Sequence, residues 1–196
     1  LLAANPLYKM SAIKNPTEIA GMKRAHRADG RAIAKFIDWF RAQEGLPLTE
    51  LQIVDRLEAL RAESNEYRGP SFATISGAGP NGAIVHYRAN EKTNRALGKD
   101  DILLLDSGGQ YPFGTTDITR TLVRGAPSKE FSENYTRVLK GHIALATAIF
   151  PKGTSGGQLD ALARQYLWQA GLDFDHGTGH GVGAYLCVHE GPQRIG

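Results

Sequence analysis

Apolar residues recur at helical spacing along the first part of the chain. A helix start precedes them, because Asn15 can cap a helix, Pro16 suits its first turn and Glu18 lies three residues beyond the cap. The apolar positions continue to about Ala42 and comprise Ile19, Met22, Ala25, Ala32, Ile33, Phe36, Ile37 and Phe40. This pattern predicts one long amphipathic helix.

A second helix is predicted after a break at residues 45–47, with Thr49 as its cap. Its apolar positions are Leu51, Ile53, Val54, Leu57 and Leu60. Two segments with strand character follow at residues 72–76 and 83–87, and the turn-rich sequence GAGPNG separates them. This part of the chain therefore predicts two helices followed by strands.

The second half of the chain repeats this order of elements. A long helix is predicted from about Ser128 to Phe150, and a shorter one from Ser155 to Ala170 after a Pro-Lys-Gly-Thr break. Segments rich in glycine and histidine follow. Few identities survive between the halves, so the repeat is one of element order. It favours a duplicated α+β unit.

Residues 101–123 predict two strands that pair as a hairpin. The run at residues 102–105 is apolar throughout, as expected for a strand buried on both faces. Glycines and a proline supply turns after it, and a β-branched alternation resumes at Thr115. A strand that returns beside the first would bring Asp106 and Asp117 together.

Two neighbouring carboxylates inside a fold repel each other, and a bound cation is the simplest way to keep both charged. Their oxygens suit Mg or Mn, and an added imidazole moves the preference toward Mn, Fe, Co or Zn. The candidate imidazole is His180, which glycines flank in the sequence HGTGHGVG. Taken alone, the aspartates are better explained as turn formers beside glycines. The histidine cluster reverses that preference and predicts a metal site.

Composition and charge narrow the range of partners. The chain has 196 residues, 41% of them apolar, which is enough for one sizeable core. A net charge of +3 is too small to indicate a nucleic-acid partner. The basic residues Lys23, Arg24, Arg27 and Arg31 are expected on a solvated helix face. No apolar run approaches membrane-spanning length, so no membrane partner is predicted.

The single cysteine bears on the cellular compartment. Cys187 cannot form an internal disulfide, which favours a reducing environment. It stands between Leu186 and Val188 in a strand-like run, and we expect it to be a small buried hydrophobic residue. Since no charged leader precedes an apolar region, the cytoplasm is the predicted location.

The motifs DSGGQY, GTTDITRT, HGTGHGVG and VHEGP resemble the catalytic domain of the Xaa-Pro aminopeptidases, in the metallopeptidase family that also holds prolidase and methionine aminopeptidase. The resemblance extends through NPLYKMSAIKNPTEIAGMKRAH and NGAIVHYRA and covers nearly the whole chain. It implies an α+β pita-bread fold, a duplicated arrangement with a curved antiparallel sheet and flanking helices. Residues 1–14 would end a connection from an N-terminal domain, and residues 15–196 would belong to the catalytic domain.

The resemblance also implies a site with two divalent ions. Asp106 would bind one ion, Asp117 would bridge both, and His180 would bind the other; Mn is the usual occupant, with Zn and Co as alternatives. His86, His176 and His189 would lie around the substrate, orient the scissile peptide and move or stabilise charge. A homodimer is implied as well.

One departure from the family pattern stands out. The family completes its site with two glutamates nearer the C-terminus, and this chain reaches Gly196 before them. Glu190 has its own place in VHEGP and does not replace either one. With three of five expected ligands, we expect weak or no stable dinuclear binding by this chain alone, and a fold that is incomplete at its C-terminus.

The implied activity is hydrolysis of the bond between an N-terminal residue and a following proline, on peptides of three residues or more. Prolidase activity on Xaa-Pro dipeptides is an alternative within the same chemistry. A peptidase-like domain that only binds peptides or proteins is a third reading. The paired Asp106 and Asp117 argue against it, whereas the missing glutamates argue mildly for it.

Overall fold

The computed structural model describes residues 5–196 and shows helices interspersed with short antiparallel strands. In chain order the elements are α1 (Pro6–Ala12), α2 (Pro16–Ala42), α3 (Glu50–Ala62), β1 (Ile75–Ala78), a 3-10 helix (Gly79–Ala83), β2 (Ile102–Ser107), β3 (Gln110–Tyr111), β4 (Gly114–Thr115), β5 (Ile118–Val123), α4 (Lys129–Ala146), α5 (Gly156–Trp168), β6 (Gly179–Gly181) and β7 (Glu190–Ile195).

These elements divide between two compact units. The first unit comprises residues 13–127 and 182–188, and the second comprises residues 5–12, 128–181 and 189–196. Each unit contains a pair of longer helices and antiparallel strands, in line with the repeated order of elements along the chain. Among residues 5–196, no helix combines the length and the apolar character needed to cross a membrane.

The two helices of the first unit begin where their capping residues predict. The Asn15 side chain accepts a hydrogen bond from the Glu18 backbone N–H at 2.9 Å, and the Glu18 carboxylate accepts one from the Asn15 N–H at 2.8 Å. Thr49 and Gln52 form the same capping box at the start of α3. The basic residues of α2 are exposed, as predicted.

The helices pack on a three-stranded antiparallel sheet in the order β1-β2-β5. Leu103 and Leu105 of β2 are buried with Phe36 of α2 and with Ile53 and Leu57 of α3. The alternate residues of β2 are only half-buried. The prediction of a strand buried on both faces was therefore wrong, because the core of this unit packs on one face. The predicted pairing of β2 with a returning strand is confirmed, with the small β3–β4 hairpin between them.

Two predicted strand segments differ in the structure. The strand expected at residues 72–76 lies further along the chain, as β1. In the segment at residues 83–87, Ala83 ends the 3-10 helix and the remaining residues form a turn, in which the Tyr87 N–H donates to the Ile84 carbonyl at 3.1 Å. His86 has a left-handed φ of 55°, which an extended strand cannot accommodate.

The second unit is built on α4 and α5. The helix expected to reach Phe150 ends at Ala146, and the Thr147 N–H donates to the Ile143 carbonyl at 3.0 Å. The helices approach closely at Gly141, where an added Cβ would lie 2.0 Å from the Ala163 carbonyl oxygen. Of the connection expected at residues 1–14, residues 1–4 lie outside the described residues, and the next segment forms α1, which packs against β7.

The expectation for Cys187 was wrong, since the residue is exposed and lies in a loop of the first unit. The Gly183 N–H donates to the Cys187 carbonyl at 2.8 Å, and Leu186 has a left-handed φ of 63°. Both features bend the chain, so the apolar letters around the cysteine do not form a strand. The loop is held instead by the Thr115 hydroxyl, which donates to the Leu186 carbonyl at 2.9 Å.

Two glycines of α2 offer a matched test of its packing. A Cβ at Gly21 would lie 2.2 Å from the Phe113 carbonyl oxygen, whereas a Cβ at Gly30 would meet no atom within 4 Å. We expect Gly21→Ala to destabilise the protein by about 1–3 kcal/mol through overpacking. Gly30→Ala should stabilise it by about 0.5–1 kcal/mol, because alanine loses less backbone entropy in a helix. Urea unfolding followed by circular dichroism measures both, and equal effects would contradict this packing.

Candidate metal centre

Asp106 and Asp117 lie on the same face of the β2–β5 pair in the first unit. Asp106 is directly opposite Thr119, and Ser107 is opposite Ile118. Asp117 immediately precedes Ile118 and continues the two-residue alternation of Thr119. The two aspartates are therefore diagonal neighbours across the strands, on the face away from the buried leucines of β2. The structure brings this predicted pair together.

The Asp106 carboxylate has a fixed partner within the sheet. Its Oδ1 accepts a hydrogen bond from the Thr119 hydroxyl at 2.8 Å, and the residue is half-buried. A hydroxyl donor on one oxygen orients a carboxylate without neutralising its charge. Asp117 is half-buried as well. Half-buried carboxylates on one sheet face suit a hard divalent cation.

His180 lies in the second unit, on β6, with glycines on both sides. Its Nδ1 lies 2.9 Å from the Gly181 carbonyl oxygen. A carbonyl oxygen only accepts, so this contact requires the proton on Nδ1 and leaves the lone pair of the neutral ring on Nε2. A backbone acceptor on one ring nitrogen is the usual way in which proteins prepare the other nitrogen for a metal.

His189 is next to His180 in the same unit. Their ring centroids are 4.2 Å apart and the planes stand at 86°. His189 precedes β7, and Gly181 of β6 pairs with Glu190 of β7. The short β6–β7 ladder therefore places the two imidazoles edge to face.

His176 belongs to a loop that α5 holds from one side. Arg164 of α5 donates from Nη2 to the His176 carbonyl at 3.0 Å and from Nη1 to the Phe174 carbonyl at 2.5 Å. Its guanidinium carbon lies 3.8 Å above the centre of the Phe174 ring, which in turn stacks on the His176 ring. Asp160, one turn earlier, binds Arg164 at 2.7 Å and also accepts a hydrogen bond from the Thr178 hydroxyl. These contacts fix the backbone on both sides of His176.

His86 lies in the first unit, in the turn after the 3-10 helix, and is exposed. Its left-handed backbone is held by its neighbour Tyr87, whose hydroxyl donates to the Glu50 carboxylate at 2.8 Å. Glu50 is fully buried and also accepts hydrogen bonds from the Ala78 N–H and the Asn81 amide. A left-handed non-glycine residue that its surroundings hold in place is typical of functional sites.

Of the predicted ligands, Asp106 and Asp117 belong to the first unit and His180 belongs to the second. Among the described residues 5–196, no three or more His, Cys, Asp or Glu side chains are grouped so that they could hold a metal ion. The donor types nevertheless fit a divalent metal, since two carboxylates and one neutral imidazole suit Mn, Co or Zn.

Family comparison identifies the class of protein to which these residues belong. The family model named metallopeptidase family M24 matches residues 20–196, and the chain belongs to this family. The chain is 50% identical over 197 aligned residues to a probable Xaa-Pro aminopeptidase P of Laccaria bicolor, an alignment that covers 100% of this chain and 31% of that protein. It is 47% identical to aminopeptidase P1 of Lotus japonicus, with 100% and 33% covered.

Solved structures that resemble this chain include proteins of the same kind as the sequence relatives. An X-prolyl aminopeptidase from Caenorhabditis elegans, described as a cytosolic enzyme with a di-nuclear active site, superposes with a TM-score of 0.94 at 45% identity, over 98% of this chain and 32% of that one. A prolidase from Pyrococcus furiosus gives a TM-score of 0.82 at 28% identity, over 95% and 53%. The expected α+β pita-bread class is confirmed. The chain spans about a third of the length of its curated relatives.

Sequence reasoning found the motif residues but missed the side chains that hold them. None of these side chains, which are Arg164, Asp160 and Glu50, belongs to a recognised motif. Their spacing along α5 and α3 is typical of charged residues on a helix surface. The only local signal is the four-residue separation of Asp160 and Arg164, which fits an intrahelical ion pair. Their partners in the loops are separated from them by nine residues or more, so helical periodicity alone does not reveal these contacts.

The Arg164 contacts predict a local effect of mutation. In Arg164→Gln the loop at residues 173–178 loses its charge-assisted hydrogen bonds to the Phe174 and His176 carbonyls. We expect its amide hydrogens to exchange at least about 10-fold faster. Hydrogen exchange measured by mass spectrometry tests this. The matched control is Arg137→Gln on α4, whose side chain contacts Asn134 and Glu133; equal acceleration in both variants would contradict a specific role for Arg164.

Asp173 predicts a dependence of stability on pH. The Trp168 indole N–H, the Phe174 backbone N–H and Arg164 hold the pKa of Asp173 below its ordinary value of 3.8. A lowered pKa in the folded state stabilises the protein above that ordinary value, and the contribution is lost as the pH falls through the lower folded pKa. The stability difference between wild type and Asp173→Asn should therefore shrink as the pH falls below about 4.

Urea unfolding at a series of pH values measures this difference. Trp168→Phe removes the largest contribution to the lowered pKa of Asp173. The stability of this variant should therefore depend less on pH below about 4 than that of the wild type. If wild type and Asp173→Asn lost stability in parallel below pH 4, the role assigned to Asp173 would be refuted.

Proposed function

We propose that residues 15–196 form part of the catalytic domain of a metal-dependent aminopeptidase, which removes the N-terminal residue of peptides that carry proline in the second position. The observation that carries the proposal is the carboxylate pair Asp106 and Asp117 on one sheet face. It occurs in a chain of the M24 family that is 50% identical to a protein named as a probable Xaa-Pro aminopeptidase P.

Three side chains are proposed as metal ligands. Asp106 would hold one ion, Asp117 would be shared by both, and His180 would hold the other through Nε2, which its Nδ1 contact to Gly181 prepares. The oxygen-rich donor set favours Mn, with Zn and Co as alternatives. The di-nuclear site of the C. elegans enzyme supports the number of ions.

Two bound divalent ions would acidify a water molecule and offset the negative charge that develops on the scissile carbonyl oxygen. The chain's own side chains have separate tasks. Asp106 and Asp117 supply the negative charge that makes cation binding favourable, and the Thr119 hydroxyl keeps the Asp106 carboxylate in one orientation.

The histidines are proposed to act on the substrate. An Xaa-Pro bond has no N–H, and its leaving group is a secondary amine that must gain a proton as the bond breaks. His176 and His189, when protonated, can donate that proton or a hydrogen bond to the scissile carbonyl. His86, on its strained turn in the first unit, would contact the substrate on its N-terminal or proline side.

The wider setting belongs to the same proposal. A cytoplasmic location is supported by the description of the C. elegans enzyme as cytosolic. The homodimer rests on the family resemblance. The small net charge of +3 gives no support for a nucleic-acid partner.

Prolidase activity is the second candidate, because the Pyrococcus furiosus prolidase shares the fold over 95% of this chain. The lower identity, 28% against 45% for the C. elegans aminopeptidase, places it second. Substrate length separates the two activities, since a prolidase acts on the Xaa-Pro dipeptide and an aminopeptidase P on longer peptides.

The test is release of the first residue from an Ala-Pro-Ala tripeptide in the presence of Mn, by the full-length gene product that contains this chain. Asp117→Ala should reduce turnover by at least about 100-fold, because a bridging ligand contributes more than the residues around it. The matched control is Asp38→Ala, which removes an exposed carboxylate of α2 and should leave turnover unchanged.

The other outcomes separate the alternatives. Cleavage of Ala-Pro but not of the tripeptide would favour a prolidase. Tripeptide binding without turnover in a protein that retains Mn would favour a peptide-binding module. Full activity in Asp117→Ala would show that this carboxylate is not a ligand.

A further inference from the structure

A buried ion pair lies beneath the carboxylate pair in the first unit. Asp29 of α2 and Arg61 of α3 are 0% and 1% exposed. Arg61 donates from Nε to Asp29 Oδ1 at 2.7 Å and from Nη2 to Asp29 Oδ2 at 3.2 Å. This two-point contact fixes the orientation of both side chains, since it matches the planar guanidinium to the planar carboxylate.

The ion pair extends to β2, which carries Asp106, and to the link between β4 and β5, which carries Asp117. Arg61 Nη2 also donates to the Ser107 hydroxyl at 3.0 Å. The Thr116 hydroxyl donates to Asp29 Oδ2 and accepts from the Gly109 N–H at 2.8 Å. Ser107 and Thr116 are both fully buried, so these hydrogen bonds do not compete with water.

The two hydroxyl residues are the immediate neighbours of the two carboxylates. Ser107 follows Asp106, and Thr116 precedes Asp117. Successive residues of an extended chain point to opposite faces of a sheet. A hydrogen bond that fixes Ser107 or Thr116 on the core side therefore fixes the backbone from which the adjacent aspartate projects on the other side.

We propose that Asp29 and Arg61 are positioning residues for the carboxylates of Asp106 and Asp117. The inference rests on the proposed function in so far as those carboxylates are metal ligands. Arg61 acts through Ser107 of β2, and Asp29 acts through Thr116 in the link between β4 and β5.

Stability alone does not account for this arrangement. Burying two charges costs desolvation free energy that their attraction roughly offsets, and a well-packed apolar pair of similar volume is often as stable. An apolar pair could not form hydrogen bonds to Ser107 and Thr116. The directed contacts to the neighbours of the carboxylates are therefore what the charged pair adds.

The test compares Thr116→Val with Thr116→Ser in the full-length gene product, and its readout is the dissociation constant for Mn measured by equilibrium dialysis. Valine keeps the shape of threonine and removes the hydroxyl, whereas serine keeps the hydroxyl. We expect Thr116→Val to weaken Mn binding by about 10-fold or more, as is usual for residues that orient metal ligands. Thr116→Ser should retain most of the wild-type affinity.

Glu50→Gln is the control for general loosening of the unit. Glu50 is also a fully buried carboxylate, but its hydrogen bonds go to residues 78–95. Glu50→Gln should lower the urea concentration at the unfolding midpoint and leave the affinity for Mn unchanged. Should Thr116→Val not fold, Ser107→Ala, which removes a single neutral hydroxyl, decides the question by the same criterion.

Each outcome has a distinct meaning. Wild-type affinity in Thr116→Val, or an equal loss in Glu50→Gln, would overturn the positioning role and leave the proposed function standing. A wild-type protein that binds no Mn would overturn the proposed function itself, and the inference with it. Loss in Thr116→Val, retained binding in Thr116→Ser and unchanged affinity in Glu50→Gln together support the inference.

Discussion

The arrangement of the first unit depends on one ion pair without access to water, between Asp29 and Arg61. The pair joins α2 to α3, and through Ser107 and Thr116 it joins both helices to the strands. Removing the Arg61 charge would leave the buried Asp29 carboxylate without its cation, at a cost of about 3–5 kcal/mol. The pair thus constrains how the helices and strands fit together, in addition to the hydrophobic core around Phe36 and Leu57.

The second unit uses the same principle with different residues. Arg164 on α5 is mostly buried and holds the loop that carries His176. Glu50, in the first turn of α3, does the same for the turn that carries His86. In each case a charged side chain on a regular helix fixes an irregular segment with a candidate functional residue. Helices supply rigidity, and the loops supply the side chains that can contact a substrate.

Local sequence signals predicted the parts of the structure that local physics determines. The caps at Asn15 and Thr49 placed both helix starts correctly, and the turn residues after β2 predicted a returning strand. The strand prediction for residues 83–87 was wrong because the conformation there depends on the hydrogen bond from Tyr87 to Glu50, 37 residues earlier. The prediction of a buried Cys187 in a strand was wrong for a similar reason, since a left-handed residue and a distant threonine hydroxyl determine the conformation of this loop. Asp106, Asp117 and His180 could be named from motifs, whereas the Asp29–Arg61 pair is separated by 32 residues and leaves no pattern.

The close backbone contact at Gly21 has a mechanical consequence for the carboxylates. Asp29 lies eight residues further along α2, which corresponds to roughly 12 Å at the rise of an α-helix. If the helix pivoted about the contact with Phe113 by about 5°, Asp29 would move by about 1 Å, a displacement of the size that can impair catalysis when it reaches reacting groups. Because Gly21 has no side chain, α2 can approach Phe113 closely. This contact therefore limits how far the Asp29 carboxylate, two turns away, can move beneath the strands.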